Sequence, residues 1–304
     1  MISVTTVLIA VLSFVLGMAL NRGSTCAVLA TEEMILHRRP ERFLAFFEAA
    51  MWAAICLTLI GAFPLMRLAW GGWAEIVLGA AMFGIGAVVN GACPFGVVGR
   101  IGSGQVEFLL TGFGLWLGTV AMALTADMSM PIPTVKTGLG APIYVYPVIL
   151  AVLLVLRLIL GRHRKPAFLR LTGVMAVVGA SFVTLAYLHQ PFPWVNALAA
   201  LPKVAPLPAL ALVCLLAGSA SNAAIDRGIR FRAPTTFGSS RRVVGGTLMG
   251  AGAVLVPGGN DSLLLYGLPQ GSAQAFVAYV IIVALVAATI LVSGRVTAAW
   301  KGLE

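Results

Sequence analysis

Charge is what this chain has least of. Only 10% of its 304 residues are charged, against about a quarter in a soluble globular domain. Histidine is scarcer still: His37, His163 and His189 fall in loops or at segment ends, and with four cysteines they form no metal-ligand pattern. No Cys-x-x-Cys is present, which excludes a thioredoxin-like redox dithiol. The phosphate-gripping Gly-x-x-x-x-Gly-Lys-Ser/Thr is also missing. Gly99-Arg-Ile-Gly-Ser-Gly104 lacks both the lysine and a preceding strand. No cofactor is expected, and energy would come from a substrate gradient, a coupled ion or a partner.

What the chain has is apolar length. It is 60% hydrophobic, with runs at residues 2–20, 43–65, 73–89, 108–124, 143–160, 171–188, 207–216, 243–256 and 275–292. A span needs roughly 20 residues, and most runs reach that with their flanks. The expected fold is an all-α polytopic membrane protein with about nine transmembrane helices. The first run has no basic n-region and no clear cleavage site, so it is expected to be a retained helix rather than a signal peptide. The formal charge of +10 does not indicate nucleic acid. Its basic residues cluster between spans, at Arg38, Arg39 and Arg42, at Arg162, Arg164, Lys165 and Arg170, and at Arg227, Arg230, Arg232, Arg241 and Arg242. The positive-inside rule places these loops in the cytoplasm, with the N-terminus outside. Residues 127–140 and 189–206 would face out.

A motif recurs. Gly84-Ile-Gly-Ala-Val-Val-Asn-Gly-Ala-Cys93 corresponds to Gly250-Ala-Gly-Ala-Val-Leu-Val-Pro-Gly-Gly259, and Asn21-Arg-Gly-Ser-Thr-Cys26 to Asp226-Arg-Gly-Ile-Arg-Phe231. The basic stretch 161–170 divides two internally duplicated halves, 1–160 and 171–304. Repeated halves with Gly/Pro-interrupted segments point to a transport site at their interface. Spans after the Gly-x-Gly-Ala motifs come out inverted between halves, whereas the Arg-Gly segments come out parallel. A helix inserted in the first half, or re-entrant segments at 24–36 and 254–265, would reconcile the two. Broken helices at membrane depth persist only when buried in protein or lining a polar path.

The glycines of 79–104 read first as close helix packing. Packing alone does not account for Asn90-Gly91-Ala-Cys93-Pro94, which sets an amide, a thiol and a helix-breaker together in an apolar segment. Cys56 and Cys214 lie in uninterrupted apolar helices and read as small hydrophobes. Cys26 and Cys93 each follow a glycine-containing break with an arginine nearby, Arg22 or Arg100. A thiol at a helix start carries functional charge readily, and a neutral thiol donates a weak S–H bond to an anion. Arg22, Arg100 and Arg227 read either as anchors or as an electropositive approach for an anion. Glu48, Glu75 and Glu107 read as interfacial residues or as functional intramembrane charges. In the second half, Gly258 and Gly259 precede Asn260 and Asp261. A carboxylate there disfavours anion binding unless it is paired.

At these motifs the chain resembles the YeeE/YedE sulfur-transport family of bacterial inner-membrane proteins. The likeness also takes in Gly245-Gly-Thr-Leu-Met-Gly-Ala-Gly-Ala-Val-Leu-Val-Pro-Gly258, and so reaches across both halves. The resemblance implies nine helices plus short re-entrant helices, and a central path on which cysteines pass a thiosulfate-like ion by transient S–H contacts. Cys26 and Cys93 would be two such stations. The family's third cysteine, in a Gly-Cys-Asn run, is replaced here by Gly259, which leaves Asn260 to stand in or points to another substrate. The resemblance also implies a cytoplasmic sulfur-carrier partner of the TusA type. The expected function is therefore import of thiosulfate or a similar small sulfur-containing anion across the inner membrane. The rival readings are a channel-like facilitator for another solute, a membrane sulfurtransferase with a persulfide on Cys26 or Cys93, and a docking scaffold for a sulfur carrier.

Overall fold

A computed structural model describes residues 4–60, 71–125, 144–160, 165–188, 206–226 and 228–293. Arg227, His163, His189 and both stretches expected to face out, apart from the first residue of the helix at 206, lie outside them. The described residues are helical almost throughout, in twelve helices. These are α1 (Val4–Gly23), α2 (Ala27–Leu36), α3 (Glu41–Leu59), α4 (Trp73–Asn90), α5 (Pro94–Gly102), α6 (Leu109–Thr125), α7 (Val145–Leu160), α8 (Lys165–Leu188), α9 (Pro206–Asp226), α10 (Thr236–Leu255), α11 (Gly259–Ser262) and α12 (Ala273–Ser293). A 3-10 turn, Val106–Phe108, leads into α6, and a π-helical turn, Leu263–Gly267, follows α11.

Six apolar helical stretches among the described residues are long enough to cross a membrane, or seven when the pair Thr236–Leu255 and Gly259–Gly267, bent by 41°, is counted as one span. Two shorter apolar helices, Val106–Met122 and Val145–Leu160, accompany them. Outward faces are apolar too: Val7 and Val11 on α1, and Val148, Val152 and Val155 on α7, are exposed. In water such a surface would mark an interaction site; here it is the face for lipid.

Three of the long stretches are interrupted. Val4–Leu36 runs for 33 residues with its break at 24–26, and Trp73–Gly102 for 30 residues with its break at 91–93. Residues 24–36 thus continue α1 beyond a break. The third interruption, at 256–258, lies where Pro257 cannot donate to the helix ladder. Gly91 closes α4 at φ 73° and Gly258 precedes α11 at φ 80°, left-handed conformations that favour glycine.

Glycine stripes bring these helices together. Gly245 and Gly252 of α10 face α4, and Gly246 and Gly250 face α6. A methyl group on Gly245 would come within 2.6 Å of the Asn90 backbone nitrogen, and one on Gly86 within 2.7 Å of the Gly245 carbonyl. The packing role expected for the repeated glycines is what they perform here. Backbones meet closely where the hydrophobic effect gives helices in lipid little reason to associate.

Two ion pairs bind the bundle from within. Glu48 of α3 accepts Arg157 of α7 at 3.0 Å, with neither side chain exposed. Arg157 also donates to the Phe168 carbonyl and to Thr172 of α8. Glu48 is therefore a buried partner of a helix–helix contact and not interfacial. Glu75 is the interfacial one: it accepts from the Gly72 amide at 2.9 Å on an exposed helix start. Arg241 and Arg242, expected in a cytoplasmic loop, instead lie within α10.

Candidate functional site

The breaks place the chemistry. Cys26 and Cys93 are both extended residues immediately before a short helix, α2 and α5 respectively. Pro94 fits the first position of α5, where its missing N–H costs nothing. Both thiols are buried. The Ala27 amide donates to the Cys93 sulfur at 3.2 Å, tying one break to the other. Gly96 makes room: a methyl group there would meet the Cys26 sulfur at 2.7 Å.

Cys26 lines a cavity of about 620 Å³. Four arginines line that cavity, Arg22, Arg100, Arg230 and Arg232, together with Asn21, Ser103, Asn222 and Asp226. The geometry is held by a polar lattice. Asn21 donates to the Gly99 carbonyl at 2.9 Å and to Ser103 at 3.0 Å, and Asn222 donates to Asn21 at 2.8 Å. The amides of Arg230 and Arg232 donate to the Ser103 and Gly104 carbonyls, which fastens the loop between α9 and α10 against the end of α5. Arg100 donates to Gln105 at 3.2 Å and lies over the Phe108 ring. Asp226 is engaged by Arg170 at 3.0 Å. The cavity is therefore an electropositive vestibule.

Cys93 reaches a second, much smaller cavity, lined also by Thr31, Phe83, Tyr279 and Asn260. Asn260 is 2% exposed, and its side-chain oxygen has no hydrogen-bond partner. Cys26 thus lines the larger cavity, and Cys93 and Asn260 line the smaller one. Each stands at or just after the break of a different helix.

The other expected site residues are placed differently. Asn90 is wholly buried and lines neither cavity. Its amide donates to the Ala92 carbonyl at 2.8 Å and its side-chain oxygen accepts from Thr111 at 2.8 Å. Its role in the geometry is to shape the break around Gly91. Gly258 and Gly259 shape the third break, and a side chain on Gly259 would run into the Phe83 ring at 2.7 Å. Cys56 packs against Thr184 at 3.7 Å in an unbroken helix.

Sequence reasoning missed Arg242. Its guanidinium pairs with Glu107 at 2.7 Å, donates to the Asn90 carbonyl and stacks 3.8 Å from the centre of the Phe108 ring. One residue of the second half thereby clamps the break of the first. It also missed Arg157, although an isolated arginine in the apolar run 145–160 was a visible signal.

A basic vestibule with one thiol in its wall, and a second thiol in the wall of the smaller cavity, can attract a small anion and offer it weak donors. The family described as Sulphur transport matches residues 22–174 and 138–288. The chain belongs to this sulfur-transport family. It is a multi-pass inner-membrane protein of a bacterial transporter family, not an enzyme. The chain is also similar to the thiosulfate transporter TsuA of Spirochaeta thermophila, with 25% identity over 87% of this chain and 92% of that protein.

Proposed function

We infer that this sulfur-transport protein conducts thiosulfate, or a small sulfur-containing anion like it, past Cys26 and Cys93. The observation that carries the reading is the meeting of the two cysteine-bearing breaks, through the Ala27 amide on the Cys93 sulfur, beside an arginine-lined vestibule. The similarity to TsuA supports the choice of substrate. Arg22, Arg100, Arg230 and Arg232 raise the local anion concentration, and Arg227 adjoins them in sequence. Cys26 then Cys93 offer S–H donors in succession, and Asn260 serves as the third polar station where Gly259 leaves no thiol. Neutral thiols suit passage, because a conducting site must release what it binds.

On the positive-inside rule the vestibule opens to the cytoplasm. Its basic mouth is the docking place for a TusA-type sulfur carrier. Nine spans follow if the two shorter apolar helices cross the bilayer along with the long stretches and the bent pair. The recurring breaks support two related halves.

Protection from alkylation tests the site. Thiosulfate should slow modification of Cys26 by a small thiol reagent supplied from the vestibule side, and sulfate should not. Equal rates with and without thiosulfate would remove Cys26 from the path.

A further inference from the structure

The third break carries an ionisable group that the thiol path does not use. Asp261, in α11, is 1% exposed, and neither carboxylate oxygen has a hydrogen-bond partner. Among the described residues, no arginine pairs with it. Arg157 is held by Glu48, Arg242 by Glu107, Arg170 by Asp226 and Arg42 by Glu33. Among the described residues, the other titratable groups on the surrounding elements are Tyr266, Tyr279 and Arg241. Tyr266 of the π turn donates to the Phe182 carbonyl at 3.3 Å. Tyr279 of α12 lines the small cavity, and Arg241 of α10 lies over the Phe237 ring. An ionised carboxylate buried without a partner is so unfavourable that such a group is held neutral instead.

A metal ion is the poorer match. Asn260, Asp261 and Ser262 are consecutive helical residues, so their side chains fan out by roughly 100° each and do not converge into an oxygen cage. Asn260 faces the cavity shared with Cys93, and Asp261 is not among its walls.

We propose that Asp261 is a proton-binding site linked to the anion path. The inference rests on the path proposed above. A proton on the Asp261 carboxyl leaves the neighbourhood of Asn260 neutral, and the anion can occupy it. Loss of that proton to water places a negative charge one residue from the anion station and expels the anion. By linkage, anion binding takes up a proton to the same degree, so that anion and proton move together.

Infrared spectroscopy of the full chain in lipid nanodiscs reads the proton directly. At neutral pH the wild type should show the C=O stretch of a protonated carboxyl, strengthened by thiosulfate and absent from Asp261→Asn. In proteoliposomes, acid on the side opposite the vestibule should accelerate thiosulfate uptake several-fold in the wild type. Asp261→Asn should lose that acceleration while keeping thiosulfate exchange in the absence of a gradient. Absence of the carboxyl band from the folded wild type, or an undiminished gradient response in Asp261→Asn, would overturn the proposal. A wild type that exchanges no thiosulfate would count against the anion path alone, and the infrared band would then decide the proton site.

Discussion

Cys26 and Cys93 owe their roles to position. Each stands just before a short helix, and Cys26 also packs against a neighbour that has no side chain. Gly96 is that neighbour for Cys26. Gly96→Ala is expected to displace the Cys26 thiol and to cut thiosulfate uptake several-fold, while circular dichroism stays that of the wild type. Gly259 is the converse case. Its φ of 78° and the Phe83 ring beside it leave no place for a thiol. Gly259→Cys should therefore destabilise the protein by about 1–3 kcal/mol in detergent unfolding. Phe83→Leu should recover part of that loss by freeing the ring's space. The two cysteines at the breaks were legible in the sequence because polar, glycine-containing breaks in apolar runs are rare and local. Asn90 was legible as unusual, yet its bonds to Ala92 and Thr111 are turn geometry that spacing alone does not reveal.

Interrupted helices are the working elements. α4, α6 and α10 meet through glycines, and the buried Arg242–Glu107 pair fixes α10 against the turn that starts α6. Breaking a buried pair leaves an uncompensated charge. Glu107→Ala is expected to cost about 3–5 kcal/mol, measured as a fall in thermal midpoint in detergent. Arg242→Gln should in addition loosen the Asn90 carbonyl and reduce uptake. Periodicity and glycine spacing disclosed most of the helices and the three breaks. They did not disclose Arg242, because its basic neighbours in sequence made it look like part of a loop. Only the packing of α10 against α4 turns it inward. Arg157 is similar: its partner Glu48 lies in a helix more than a hundred residues earlier, a pairing no local pattern encodes.

For the molecule as a whole, composition settled the membrane class, and a lipid-facing surface of exposed valines and leucines bears this out. The motifs indicated the family, and the match across residues 22–174 and 138–288 shows it. The sequence offered Arg22 and Arg100 as an electropositive approach, but not that Arg230 and Arg232 join them, since the four come from three separate segments joined by the contacts of residues 103–105. Its field acts over a Debye length of about 8 Å at physiological salt. Replacing Arg230 and Arg232 together with glutamine should raise the KM for thiosulfate and flatten its salt dependence, with little change in thermal midpoint.

Radiolabelled thiosulfate uptake into proteoliposomes, comparing wild type with Cys26→Ser, Cys93→Ser and Cys56→Ser, is the most direct test of the thiol path. Saturable uptake by the wild type, kept by Cys56→Ser and lost in the other two, is the expected result. Uptake undiminished in Cys26→Ser and Cys93→Ser, or none from a folded and correctly inserted wild type, would contradict it.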